Sequence, residues 1–141
     1  MTKKIDLALL IDDEEIDQRY YKRVLDRSGL VTEFMSFTYA DDALEFLLAN
    51  PNLGVDVILL DINMPRMNGF EVLERLKQLY DSEHLHPNSM IAMMYSSSDS
   101  KEDKERAFSY DFVKDFLTKP LDKQKLAQLV ASYQESNRNA A

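Results

Sequence analysis

The central segment of the chain reads Val57-Ile58-Leu59-Leu60-Asp61-Ile62-Asn63-Met64-Pro65, and Gly69 follows four residues after the proline. Four consecutive apolar residues indicate a buried strand, and the proline and glycine indicate a loop after it. Asp61 therefore stands where a buried strand gives way to a loop. Parallel α/β folds keep their functional groups at such positions, so we take Asp61 as the centre of the candidate site.

Short apolar runs alternate with segments of helical spacing along the rest of the chain, which predicts strands and helices in turn. The predicted strands are Ile5–Ile11, Val31–Phe37, Val55–Leu60, Met90–Tyr95 and Asp115–Leu117. The first predicted helix carries Ile16, Tyr20, Val24 and Leu25 and ends at Gly29, and the others are Ala40–Asn50, Phe70–Tyr80, Lys101–Tyr110 and Asp122–Gln134. The second helix is predicted to turn Ala43, Leu44, Leu47 and Leu48 inward.

Continuous apolar strands, rather than alternating ones, are typical of a parallel sheet covered on both faces. Right-handed crossovers then give a doubly wound α/β fold with five strands and five helices. The carboxyl ends of its strands form one edge of the sheet. We expect Asp12, Asp13, Asp61, Lys119 and the serines from Ser96 onward to gather at that edge.

The composition fits one domain with its own core, because the chain has 141 residues of which 45% are hydrophobic. We place this domain at residues 1–141, with a core of about residues 4–133 and a short tail at 135–141. The chain has no cysteine and no apolar run long enough to span a bilayer, so we expect a cytoplasmic protein without membrane insertion. The net charge of −8 argues against nucleic acid binding, which needs a basic face.

Three carboxylates brought together would repel one another, and a small hard cation would relieve that repulsion. Mg²⁺ prefers oxygen ligands and usually takes only a few protein carboxylates. Asp13 and Asp61 are the expected direct ligands, and Asp12 is expected to hold a bound water. The backbone carbonyl of Asn63 would complete the set.

Lys119 and Ser96 suit a phosphoryl group at the same place. A lysine at a strand end could form a salt bridge only, but it also supplies the mobile positive charge that a transferring phosphoryl group needs. The Ser96 hydroxyl could donate a hydrogen bond to a phosphoryl oxygen. Asp61 could then be the nucleophile that forms an aspartyl phosphate.

Four segments together resemble the receiver domain of two-component response regulators, of the single-domain chemotaxis-regulator kind. The segments are Leu10-Ile11-Asp12-Asp13-Glu14, Leu60 to Gly69, Ser96-Ser97-Ser98 and Phe116-Leu117-Thr118-Lys119-Pro120. The resemblance implies a flavodoxin-like strand order 2-1-3-4-5. It also implies Asp61 as the phosphoacceptor, Mg²⁺ held by Asp12, Asp13, Asp61 and the Asn63 carbonyl, Ser96 as the switch hydroxyl, Phe116 as the switch aromatic, and a cis Lys119–Pro120 bond.

The resemblance further implies a histidine kinase or phosphotransfer protein as phosphoryl donor, and a downstream protein that docks on the fourth helix, fifth strand and fifth helix. Asn63 and Ser98 would flank the attacking water that resets the switch. The register of the hydroxyl is open, because the strand pattern selects Ser96 whereas the usual spacing to Lys119 selects Ser97. Neither the partners nor the oligomeric state can be named from the sequence.

Two other functions compete with a receiver. An aspartyl-phosphate phosphatase of the haloacid-dehalogenase kind needs a second aspartate two residues after the nucleophile, and Asn63 cannot protonate a leaving group there. A phosphorylation-independent docking module is disfavoured by the full set of acceptor residues. We therefore predict a signalling switch, not an enzyme, with self-phosphorylation and self-dephosphorylation as its only activities.

Overall fold

The computed structural model describes residues 5–62, 64, 67–95 and 101–139, with residues 95 and 136–139 described by their backbone alone. Strands and helices alternate through all ten elements. The strands are β1 (Ile5–Ile11), β2 (Val31–Phe37), β3 (Val57–Asp61), β4 (Met90–Tyr95) and β5 (Val113–Thr118). The helices are α1 (Glu15–Ser28), α2 (Ala40–Ala49), α3 (Gly69–Asp81), α4 (Lys101–Phe108) and α5 (Lys123–Asn139).

The five strands form one parallel sheet in the order β2-β1-β3-β4-β5. This confirms the predicted doubly wound α/β fold and its flavodoxin-like strand order. The chain reverses its direction of winding between β1 and β3, which makes the carboxyl ends of these two central strands the switch point of the sheet. A ligand site is expected beside them.

Each face of the sheet carries its own hydrophobic core. Residues of β1 alternate between the two faces, with Leu9 and Ile11 on one side and Ala8 and Leu10 on the other. The first core lies under α2, α3 and Ala107 of α4, and the second lies under α1 and α5. All five residues of β3 are buried because this strand lies between the two layers.

Two apolar faces differ from the sequence prediction. Helix α1 buries Tyr21 and Leu25, whereas Ile16 and Tyr20 are 81% and 43% exposed. The buried face of α1 therefore does not follow the helical spacing of Ile16 and Tyr20, because polar residues of its first turn face the strand ends. In α2, Leu48 is 52% exposed and not inward, whereas Ala40, Ala43 and Leu47 are buried in the core.

Several predicted element ends also shift. β3 begins at Val57 rather than Val55, and α4 ends at Phe108 rather than Tyr110. β5 spans Val113–Thr118 and is longer than predicted. α5 continues to Asn139, so most of the predicted tail at 135–141 is helical, because this polar stretch contains no glycine or proline that would end the helix.

The long link between α3 and β4 is held by specific contacts. Leu85 is 3% exposed, and the Tyr80 hydroxyl donates to the Ser89 carbonyl over 2.5 Å. The Tyr80 ring stacks on Phe112 with 4.6 Å between ring centroids. The link thus packs at the amino ends of the strands, away from the candidate site.

None of the helices in the described ranges combines the length and the apolar composition required to cross a membrane.

Candidate functional site

Three aspartates from two neighbouring strand ends converge at the carboxyl edge of the sheet. One carboxylate oxygen from each of Asp12, Asp13 and Asp61 lies within 4.8 Å of the other two. Asp12 is fully buried, Asp61 is 3% exposed and Asp13 is half-buried. The arrangement joins residues that are about fifty positions apart in the chain.

The strand register explains this convergence. Ile11 of β1 is paired with Leu60 of β3, so the residues that follow them, Asp12 and Asp61, lie side by side where the two strands end. The backbone N–H of Glu14 donates to Asp12 Oδ1 over 2.9 Å, which fixes the orientation of the Asp12 carboxylate. Two buried strands in register are therefore sufficient to build the carboxylate pair.

Lys119 supplies the positive charge of the site from the loop after β5. Its Nζ atom lies 3.1 Å from Asp12 Oδ2, 3.2 Å from Asp61 Oδ2 and 3.2 Å from Asp17 Oδ2. The Lys119 side chain is 10% exposed, and the peptide bond from Lys119 to Pro120 is cis. One ammonium group thus contacts three carboxylates.

The electrostatics leave the pocket short of positive charge. Burial acts to lower the pKa of Lys119, but Asp61 and Asp12 raise that pKa by more, so the lysine stays charged. Burial raises the pKa of Asp12, and the Glu14 N–H and Lys119 offset this only in part. Lys119 therefore does not fully offset the cost of burying the Asp12 carboxylate.

This donor set fits Mg²⁺. The ion takes hard oxygen ligands, keeps several waters and needs only a few protein carboxylates. Asp12, Asp13 and Asp61 provide such oxygens at one edge of the sheet, and the raised pKa of Asp12 indicates that additional positive charge would be stabilising there. Of the predicted metal ligands, Asp12, Asp13 and Asp61 lie in the described part of the chain, and the structure brings these three together.

Gly69 allows α3 to begin close to Asp61. A Cβ atom at residue 69 would lie 2.8 Å from the Ile62 Cα atom and 2.9 Å from the Asp61 carbonyl oxygen. Contacts this short with backbone atoms are not tolerated. The Gly69 N–H instead donates to the Ile62 carbonyl over 2.8 Å, and Asn68 caps the helix by accepting from Phe70 and Glu71.

Two clefts give solvent access to the carboxylates. A cleft of about 390 Å³ opens beside Asp61 and Lys119, and its other walls are Glu14, Asp17, Tyr20, Tyr21 and Pro120. A second cleft, of about 230 Å³, lies on the side of Asp13 against the start of α2. The first cleft gives solvent access to Asp61 even though Asp61 is almost entirely buried.

A family model decides what kind of domain carries this site. The model of the response regulator receiver domain matches residues 8–131. The chain belongs to the response regulator receiver domain family. The match covers both aspartate segments and the Lys119-Pro120 segment, so the resemblance drawn from the sequence motifs is confirmed for most of this receiver domain.

Solved structures agree with the family and with the fold. A two-component response regulator from Cytophaga hutchinsonii is 30% identical, with a TM-score of 0.83 over 94% of this receiver domain and 98% of that chain. A two-component response regulator from Legionella pneumophila is 28% identical, with a TM-score of 0.72 over 94% of this domain and 99% of that chain.

Curated relatives give the same family. The heme response regulator HssR of Staphylococcus epidermidis is 33% identical over 119 residues, which are 84% of this receiver domain and 47% of the relative. The two-component response regulator 24 of Arabidopsis thaliana is 29% identical over 123 residues, 87% of this domain and 80% of the relative. The chain spans about half the length of the Staphylococcus relative.

The predicted site residues fall into three groups. Asp12, Asp13, Asp61 and Lys119 are together in the receiver site. Phe116 lies on β5 among the residues of the core under α3 and α4, where its ring is 6.3 Å from that of Phe108. The predictions for Asn63, Ser96, Ser97 and Ser98 lie outside the described residues, so the register of the switch hydroxyl stays open.

Asp17 is a site residue that the sequence interpretation missed. The helical spacing drawn from the sequence ran through Ile16 and Tyr20, whereas the face toward the site carries Asp17, one turn before the buried Tyr21. The i, i+4 relation between Asp17, Tyr21 and Leu25 was a signal that could have identified it. Because Asp17 is polar, the spacing of apolar residues does not by itself show that it faces the site.

Proposed function

We propose that this receiver domain accepts a phosphoryl group on Asp61 from a phosphohistidine of a histidine kinase or phosphotransfer protein, in a magnesium-dependent reaction. Membership of the response regulator receiver domain family supports a function in two-component signalling. The observation that carries the proposal is the convergence of Asp12, Asp13 and Asp61 with Lys119 at the switch point of the sheet.

The proposed transfer is an in-line displacement at phosphorus. An Asp61 carboxylate oxygen forms the new P–O bond while the P–N bond to the donor histidine breaks, and the electron pair and a proton stay with the imidazole. The Lys119 ammonium, 3.2 Å from Asp61 Oδ2, is placed to donate to an oxygen of the transferred group. Mg²⁺ bound at Asp12, Asp13, Asp61 and the Asn63 carbonyl would supply the further positive charge that the crowded oxygens require.

The proposed output is a change in the face formed by α4, β5 and α5, which we call the output face. Among its described residues α4 buries Ala107, while Phe108 is 43% exposed. An eight-residue helix with so small an apolar anchor is a low-stability element suited to a two-state change. Movement of Ser96 toward the phosphoryl group would make room for Phe116 to turn inward. The inward turn would alter the contact between the Phe116 and Phe108 rings.

The domain is proposed to act as a switch rather than as an enzyme with a separate substrate. Hydrolysis of the aspartyl phosphate would reset it, with Asn63 and Ser98 beside the attacking water. The downstream protein would bind the output face, and no nucleic acid binding by this chain is expected. The cytoplasmic location stays a prediction.

The test is ³²P transfer from phosphoramidate, whose P–N bond resembles that of phosphohistidine. We expect labelling of the unmodified chain in the presence of Mg²⁺, and loss of labelling with EDTA or in Asp61→Asn. Equal labelling of Asp61→Asn would place the acceptor elsewhere and contradict the proposal. Capture of a partner to the same extent with and without beryllofluoride would favour the docking module instead, and turnover of p-nitrophenyl phosphate would favour the phosphatase.

A further inference from the structure

Asp17 contacts the site lysine but lies outside the carboxylate cluster suited to the metal. Of the three carboxylates within 3.2 Å of Lys119 Nζ, those of Asp12 and Asp61 belong to that cluster and that of Asp17 does not. Asp17 also lines the cleft that leads to Asp61. Asp17 therefore contacts the lysine from outside the group of carboxylates suited to the metal.

The backbone around Asp17 is fixed relative to Asp12. The Gln18 side-chain amide donates to the Asp12 carbonyl over 2.5 Å, and the Gln18 N–H donates to the Glu14 carbonyl over 3.0 Å. Tyr21, one turn further along α1, is 1% exposed and anchors the helix to the core. The first turn of α1 thus holds the Asp17 carboxylate at a set distance from the cluster.

We propose that Asp17 is a positioning residue that holds the Lys119 ammonium beside Asp61 during phosphoryl transfer. An ammonium has three N–H donors, and here three carboxylates lie within reach of them. Once the Asp61 oxygen is esterified it loses its charge, so the donor directed at it becomes free for a phosphoryl oxygen. Asp17 is not modified by the transfer and continues to hold the lysine in place. This inference rests on the proposed function.

A purely structural role for Asp17 makes a different prediction. Acidic residues in the first turn of a helix interact favourably with the helix dipole, and α1 carries both Glu15 and Asp17 there. Glu15 is exposed and belongs to the same turn, so Glu15→Gln removes the same charge from the same helix end. It is the matched control for Asp17→Asn.

The first measurement is the rate of Mg²⁺-dependent phosphorylation by phosphoramidate. Because a charge-assisted hydrogen bond at a partly exposed site is lost, we expect Asp17→Asn to slow the reaction by about three- to tenfold. Asp17→Glu should recover part of the rate, and Glu15→Gln should stay within about twofold of the unmodified chain. In a Lys119→Met background, Asp17→Asn should cause no further loss, as expected for residues that act through one another.

The second measurement needs neither metal nor phosphodonor. Carbon-13 relaxation of Lys119 Cε reports how rigidly the lysine side chain is held on the picosecond to nanosecond timescale. We expect a clear gain in mobility in Asp17→Asn and none in Glu15→Gln.

The outcomes distinguish a failure of the positioning role of Asp17 from a failure of the proposed phosphorylation of Asp61. If the unmodified chain is phosphorylated on Asp61 but Asp17→Asn matches Glu15→Gln in both rate and Lys119 mobility, the positioning role is wrong and the proposed function stands. A further loss from Asp17→Asn in the Lys119→Met background would also overturn it. If the unmodified chain is not phosphorylated on Asp61, the proposed function itself fails, and the relaxation data alone decide whether Asp17 holds the lysine.

Discussion

At the scale of single residues, Lys119 is the counter-charge of a buried acidic pocket. Its Nζ atom contacts Asp12 and Asp61, two of the three carboxylates that could hold a divalent cation. The ammonium and the cation therefore compete for negative charge, even though both would act on the same phosphoryl group. This competition is measurable without any phosphodonor.

Lys119→Met should bind Mg²⁺ more tightly than the unmodified chain. The substitution removes a unit positive charge that lies 3.1 and 3.2 Å from two carboxylates of the cluster, and we expect an increase in affinity of about three- to tenfold in titration calorimetry. Lys123→Met is the control, because Lys123 is exposed at the start of α5. Weaker binding by Lys119→Met would show that the lysine does not compete for the cluster.

Gly69→Ala should destabilise the fold. The added Cβ atom would lie 2.8 Å from the Ile62 Cα atom, and neither backbone segment can move without disturbing Asp61. We expect a loss of about 2 kcal/mol or more in the free energy of unfolding, measured by urea denaturation. Gly54→Ala is the matched control, since a Cβ atom there meets nothing within 4 Å. Equal stabilities for the two variants would contradict the close approach.

The sequence was sufficient to identify the residues that end buried strands. Asp12, Asp61 and Lys119 follow apolar runs, and parallel strands in register bring such positions together. Asp17 was not identified, because α1 turns a polar first turn toward the site and exposes Ile16. Periodicity reports which face is apolar on average, and it is least informative where a helix end leaves the core for a polar cleft.

At the scale of elements, β5 and α5 meet around a buried carboxylate that the candidate mechanism does not use. Asp115 is 7% exposed, and burial raises its pKa although hydrogen bonds from Ser132 and Gln128 act against this. Oδ2 of Asp115 has no hydrogen-bond partner in the part of the chain that the structure describes. The charged form of this group is therefore disfavoured in the folded state.

Asp115→Asn should be more stable than the unmodified chain at neutral pH. Because the pKa of Asp115 is raised in the folded state, folding favours the protonated carboxyl. The contribution of Asp115 to the free energy of unfolding therefore becomes less favourable as pH rises from about 3.9, the ordinary pKa of an aspartate, through the raised pKa of the folded state. The stability gap between the two proteins should thus be smallest near pH 4 and widen as pH rises through the raised pKa of Asp115.

Urea denaturation at several pH values measures this gap. Asp111→Asn, at an exposed position in the link before β5, should follow the pH dependence of the unmodified chain. A gap that shrinks as pH rises would mean that the ionised form of Asp115 is stabilised by the fold.

Element ends were harder to predict than element types. All ten elements were found, but α5 extends beyond its last apolar residues and β5 begins earlier than its apolar run suggests. Lys114 and Asp115 of β5 are polar, and an irregular register beside Ile91 accommodates them at the edge of the sheet. Such positions depend on tertiary pairing, which local patterns do not report.

At the scale of the whole molecule, two cores on opposite faces of one sheet support a single functional edge. The layer under α1 and α5 positions Tyr21, Asp17 and Lys119, while the layer under α2, α3 and α4 carries Phe116 and Ala107 of α4. Asp61, at the end of the fully buried central strand, lies between these layers. A change of charge at Asp61 is thereby placed to influence both faces.

The most direct test of the account is to locate the phosphoryl group. The chain is incubated with Mg²⁺ and phosphoramidate, the acyl phosphate is reduced with borohydride to homoserine, and the modified residue is found by peptide mass spectrometry. We predict homoserine at position 61 in the unmodified chain and none in Asp61→Asn or without Mg²⁺. Homoserine at position 12 or 13 instead, or modification that does not depend on the metal, would contradict the account.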